Sequence, residues 1–283
     1  MISKDNKILI IGLGLIGGSY AEGLTDEGYF VGAIDNNEES IKYGLEKGII
    51  KEGSVNVTKE FVDKYDIIIF ALYPHILIEW MKQYQDYFKQ NAIITDVTGV
   101  KTWLIENINE IIRNDIEFIG AHPMAGREVY GVINSDKTIF YGANYIITPT
   151  DTSTTRAIEV ARNIGEILKF KNIVILSKEE HDEMIGFLSQ LTHCIAISLM
   201  VSKESSHLVE YTGDSFRDLT RIAKINENMW SELFLLNKEE LLKQMDLFSE
   251  QFDKLKEYLR SENIEEMKEM MKLSTKRRKY FDK

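Results

Sequence analysis

The chain has 283 residues, 44% of them hydrophobic and 28% charged, an ordinary balance for a folded globular protein and enough length for two domains. A formal net charge of −11 argues against nucleic acid as the main partner, and any anion must be held by cations placed locally. The single cysteine, Cys194, excludes an internal disulfide and a cysteine-based zinc site, and it fits a reducing cytoplasm.

From the start to about residue 176, short apolar runs alternate with amphipathic ones. The runs predict strands at 7–12, 30–34, 66–72, 92–96, 116–120, 145–148 and 172–176. The run Ile67-Ile68-Ile69-Phe70-Ala71-Leu72 is apolar throughout, the pattern of a strand covered on both faces. Helices are predicted between them, at 16–27, 39–47, 75–88, 102–113 and 154–168. This alternation implies a Rossmann-type, doubly wound α/β sheet over residues 1–177. The apolar run after Lys4 and Lys7 is broken by Gly12 and Gly14, so it reads as a buried strand and not a signal peptide. No apolar stretch reaches the roughly 20 residues that span a bilayer, so no membrane partner is expected.

Residues 178–283 read differently. Strand-like runs stop, and no proline follows Pro149. Leu188, Leu191, Ile195 and Leu199 recur at helical spacing. Leu241, Met245, Phe248, Phe252, Leu255 and Leu259 then alternate gaps of four and three residues, a heptad-like seam. An all-α C-terminal domain that joins two chains into a homodimer is the expectation.

Gly12-Leu13-Gly14-Leu15-Ile16-Gly17 follows the first strand and opens a helix, the context of a dinucleotide-binding turn. Gly12 permits the tight turn, Gly14 admits the pyrophosphate, and Gly17 lets helix and strand pack closely. Asp35 ends the second strand, where a carboxylate accepts from the ribose hydroxyls and repels a 2′-phosphate. Asn36 and Asn37 supply no cation for such a phosphate, so NAD is expected over NADP.

Further on, Asp96-Val97-Thr98-Gly99-Val100-Lys101 leaves a strand and turns into a helix. Gly120-Ala121-His122-Pro123-Met124-Ala125-Gly126-Arg127-Glu128 leaves the next one. Ligands of open α/β sheets lie beyond such carboxyl ends, so both loops should border the reacting end of the cofactor. His122 is thereby a candidate for handling a substrate proton.

These residues resemble the prephenate dehydrogenase family, which includes arogenate-using members. The resemblance runs on through 139–143, 145–149, His181-Asp182, Leu191-Thr192-His193, 218–224 and Met229-Trp230, in order along nearly the whole chain. It implies a dinucleotide-binding domain followed by a helical dimerisation domain, and oxidation of prephenate to 4-hydroxyphenylpyruvate by NAD with loss of carbon dioxide. Arogenate is the alternative substrate, and a different two-domain hydroxy-acid dehydrogenase the more distant reading. By motif, His122 takes the ring-hydroxyl proton, Arg221 binds the ring carboxylate, and His193 lines the pocket. Trp230 lies near the pocket or in a helical core. Many members carry serine where this chain has Gly99, so Thr98 is a candidate replacement. Lys101 either caps its helix or meets substrate, and Arg217 is either a second substrate cation or a surface ion pair. His181-Asp182 is expected to cap and pack. No metal is expected, because aromatisation of the ring provides the driving force. On its length the chain is expected to have no room for the additional regulatory domain of some relatives, nor for a fused mutase domain at the front.

Overall fold

The computed structural model describes residues 2–204 and 207–282. Strands β1 (Lys7–Ile11), β2 (Phe30–Ile34), β3 (Glu52–Ser54), β4 (Ile67–Phe70), β5 (Ile93–Asp96), β6 (Glu117–Pro123), β7 (Asn144–Thr148) and β8 (Asn172–Ile175) form one sheet. Their order is β3-β2-β1-β4-β5-β6-β7-β8, parallel except where β6 meets β7. Seven of the eight follow the apolar runs. The polar β3, Glu-Gly-Ser, is a strand only because Gly32, Ala33 and Ile34 of β2 pair with it.

Alternate side chains of each central strand leave opposite faces and feed two cores. Ile8, Ile10, Ile67, Ile69 and Ile93 pack with Tyr20 and Leu24 of α1 (Leu15–Asp26) and with buried residues beyond. Helices α2 (Glu38–Glu46) and α3 (Lys59–Val62) follow β2 and β3. On the other face, Leu9, Ile11, Ile68, Phe70 and Ile94 pack with Leu77 and Met81 of α4 (Pro74–Tyr84). Leu104 and Ile108 of α5 (Thr102–Ile111) complete that layer, and α6 (Thr155–Ile167) covers the first face through Ala157 and Ile164.

Beyond the sheet, α7 (Lys178–Ile185) starts at a capping box between Ser177 and Glu180. A π-helical turn (Gly186–Leu191) joins it to α8 (Thr192–Val201), and α9 (Leu208–Tyr211), α10 (Asp214–Thr220) and α11 (Glu227–Leu236) follow. The π turn upsets one expected stripe. Its extra residue carries the buried face on to Gln190 and Leu191, and Leu188, placed on that face by α-helical spacing, is exposed.

A second expectation also fails. The 24-residue helix from Lys178 to Val201 is long and apolar enough, by length and composition alone, to cross a membrane. Of its apolar residues Ile185, Leu191 and Ala196 are buried in the fold, while Met184, Phe187, Leu188, Met200 and Val201 are exposed.

By contact, the chain forms two compact units, residues 1–237 and 238–283. The first unit takes in the sheet together with α7 to α11. The second holds α12 (Lys238–Arg260) and α13 (Ile264–Arg278), joined by a short turn in which Glu262 takes a positive φ of 52°.

Candidate active site

At the end of β1, Gly12 has φ +96°, and a Cβ there would sit 2.4 Å from the Ala71 carbonyl oxygen. A Cβ on Gly17 would fall 1.9 Å from the Gly12 carbonyl oxygen, so only glycine lets α1 lie this close to the strand. Gly14 differs: among the described residues nothing lies within 4 Å of its would-be Cβ. The first turn of α1, with Leu15 and Ile16, contains no acidic side chain, and Gly14 provides no side-chain cap. Its free amides and positive end suit a pyrophosphate. Leu13 donates its amide to Asp35 Oδ2 (2.6 Å), and Asn37 donates its own to Oδ1 (2.8 Å). The carboxylate is therefore clamped beside the glycine turn with lone pairs remaining for ribose hydroxyls. The residues fit a dinucleotide.

Thr98 and Lys101 are placed otherwise than expected. Lys101 is fully buried, and its ammonium meets Asp96 Oδ2 (2.5 Å), the Thr98 carbonyl (2.9 Å) and Thr98 Oγ1 (3.0 Å). Three acceptors take up its three donors, so none remains for substrate. The Thr98 hydroxyl donates to Asp96 Oδ2 (2.6 Å) and cannot also serve His122. Asp96 Oδ1 accepts the Ala121 amide (3.1 Å), so this knot fixes the base of the histidine loop. Burial pulls the Lys101 amine below its ordinary value, against the opposing pull of Asp96.

His122 lies half-buried near the end of β6. Its Nδ1 is 2.9 Å from His181 Nε2, and His181 Nδ1 is 2.7 Å from Asp182 Oδ1. Asp182 also accepts the amides of Lys101 (2.9 Å) and Thr102 (2.8 Å), so it caps α5 rather than its own helix. Burial pushes both imidazoles below the ordinary histidine value; the neighbouring His181 and the Lys101 charge lower His122 further. Burial raises Asp182, but the His181 hydrogen bond and the Thr102 amide outweigh it and hold the carboxyl below its ordinary range. The site therefore contains two neutral imidazoles and one carboxylate. Gly99 faces this group: a Cβ there would lie 3.9 Å from His122 Cε1 and 3.5 Å from Leu233 Cδ1.

The remaining expected residues divide. His193 bonds the Ser189 carbonyl through Nδ1 (2.8 Å), and its ring lies 3.7 Å from that of Trp230, centroid to centroid. Burial lowers its pKa, against the Ser189 bond and the Glu128 charge, and the Arg221 charge lowers it further. Arg221 is ion-paired with Glu128 of the histidine loop. In a pure α-helix His181 and His193 would point about 120° apart, and the extra residue of the π turn removes roughly 100° of that. Both imidazoles thereby turn to one side of the helix. Arg217 lies apart, on Asp214 (2.5 Å) and the Thr212 carbonyl (3.1 Å), in the surface pair that was its alternative reading. Glu128 escaped assignment, and His181 was given only a capping and packing role, because neither has a local signal for its partner.

Residues 21–174 match the prephenate dehydrogenase nucleotide-binding domain, and residues 177–273 match the prephenate dehydrogenase dimerization domain. The chain belongs to the prephenate dehydrogenase family. It is 31% identical over 258 residues to the prephenate dehydrogenase of Lactococcus lactis, covering 88% of this chain and 70% of that one. Against the prephenate dehydrogenase of Bacillus subtilis identity is 29% over 276 residues, 94% and 74% of the two chains. A crystal structure of the A. aeolicus prephenate dehydrogenase with hydroxyphenyl propionate and NAD+ superposes with a TM-score of 0.89 at 30% identity, covering 98% of each chain. As a member of this family the protein is an oxidoreductase with an NAD-binding domain.

Proposed function

We infer that this chain performs the oxidative decarboxylation of prephenate to 4-hydroxyphenylpyruvate, a step of tyrosine biosynthesis, with His122 as the proton acceptor. The observation that carries the assignment is a neutral His122 whose Nδ1 is engaged by His181, leaving Nε2 for a ligand. NAD, when bound at the Gly12–Gly17 turn with its ribose on Asp35, supplies the hydride acceptor. His122 accepts the ring-hydroxyl proton as hydride leaves the same carbon and a carbonyl forms. The ring carboxylate then departs as carbon dioxide, its bonding pair enters the ring, and the oxygen regains the proton as the ring becomes a phenol.

Arg221 is the cation assigned to the ring carboxylate. Glu128 engages one end of its guanidinium, and the other donors remain to grip a carboxylate. Its work is positioning, since strong ground-state stabilisation of that carboxylate would oppose its loss. His193 and Trp230 form the adjoining wall.

The exposed apolar residues support a homodimer through the helical region. Phe187, Leu188, Met200 and Val201 are exposed in the first unit, and Phe248, Phe252 and Leu259 in the second. A cytoplasmic location follows from the biosynthetic role.

The test is steady-state turnover of prephenate and arogenate with NAD. Prephenate is expected to give 4-hydroxyphenylpyruvate and carbon dioxide, with kcat/KM holding at pH values below about 6.5 before it falls. That sign follows because the base must be unprotonated and its pKa is depressed. His122→Asn should lower kcat by roughly 10²–10⁴ at unchanged NAD affinity. A variant with near-normal turnover removes His122 from the chemistry, and turnover of arogenate alone reassigns the substrate.

A further inference from the structure

We propose that His181 and Asp182 are positioning residues for the proton acceptor, holding His122 in the tautomer whose Nε2 carries the free lone pair. The inference rests on the reading of His122 as the base and extends it to two residues buried behind that histidine. Asp182 can only accept: its oxygens already receive the Lys101 and Thr102 amides, and the carboxyl stays ionised. His181 Nδ1, 2.7 Å away, must therefore be the donor. In a neutral imidazole that leaves Nε2 of His181 as an acceptor. The 2.9 Å contact to His122 is then a hydrogen bond only if His122 Nδ1 bears the proton. One carboxylate thus sets two tautomers in succession and strips the proton from His122 Nε2.

Protonating His181 would reverse the second contact and block the base. The groups facing it are Asp182, Lys101 and Asp96, and those facing His122 are His181 and Lys101. Burial and the Lys101 charge oppose a second positive charge there. The chain of contacts is rigid at its far end. Asn237 Nδ2 donates to the Asp182 carbonyl (2.9 Å) and to Gln190 Oε1 (2.8 Å), and all three residues are buried. When His122 takes the substrate proton, its Nδ1–H already points at an acceptor oriented by Asp182, so no dipole has to turn.

Nitrogen-15 spectra of imidazole-labelled wild-type protein test this without reference to turnover. The His122 signals are identified by their loss in His122→Asn; the chain has five histidines. The unprotonated nitrogen is expected at Nε2, and an unprotonated Nδ1 overturns the proposal. Kinetics give the second readout. His181→Leu removes the acceptor and should lower kcat about 10²-fold or more, with prephenate KM and NAD affinity nearly unchanged. In His181→Gln an amide oxygen can stand near the lost Nε2, so most of that kcat should return. A folded His181→Leu enzyme with wild-type kcat, or a Gln variant as slow as Leu, overturns it. His122→Asn with normal turnover would instead sink the base assignment, while the spectra would still report the tautomer.

Discussion

At the scale of single residues, charge is concentrated where the chemistry needs it. A chain of net charge −11 must hold a substrate with two carboxylates, and Arg221, paired with Glu128 of the histidine loop, is the guanidinium proposed for one of them. Arg221→Ala should raise the prephenate KM by the equivalent of about 2–4 kcal/mol, because a desolvated carboxylate loses its charged partner. Lysine should restore only part, since it keeps the charge without the planar two-point grip. Unaltered KM in the alanine variant would place the ring carboxylate elsewhere. Lys101 shows the opposite use of a cation: fully buried, it steadies Asp96 and the loop that carries His122.

At the scale of elements, the β1–α1 turn separates folding from binding. Gly17 and Gly14 have different motif roles, packing and ligand approach, and the structure keeps them apart: one is wedged against Gly12 and the other is open. Gly17→Ala should push α1 off the sheet at a cost of about 1–3 kcal/mol, lowering Tm by several degrees and weakening NAD together. Gly14→Ala should leave Tm unchanged and weaken NAD alone. Calorimetry with NAD titration checks both, and equal losses of Tm would show that Gly14 is a packing glycine too. The motif was legible in the sequence because glycine spacing reports backbone demand. The π turn was not, since Gly186–Leu191 contains no residue type that forces an extra residue into a helical turn.

At the scale of the whole molecule, the single chain leaves apolar side chains in water. Phe248 and Phe252 stack on each other along α12, and with Leu259 they are exposed. Each such side chain gains about 1.5–3 kcal/mol on full burial, more than a stable surface would forgo. Sedimentation equilibrium should therefore find a dimer at micromolar concentration, and Phe248→Asp with Phe252→Asp should shift it towards monomer. An active wild-type monomer under those conditions refutes the dimer.

The sequence alone determined what local pattern can encode. Continuous apolar runs marked seven strands, a strand-then-glycine spacing marked the cofactor turn, and the residues around His122 marked its family. Tertiary structure decided what each marked residue faces. His122 meets His181 across 59 positions, and Arg221 meets Glu128 across 93. Thr98 and Lys101 turned inward to Asp96, and Leu188 turned outward at the π turn. Periodicity tells which side of an element is apolar, but a hydrogen bond depends on the group that folding brings opposite, and that group lies in another part of the chain.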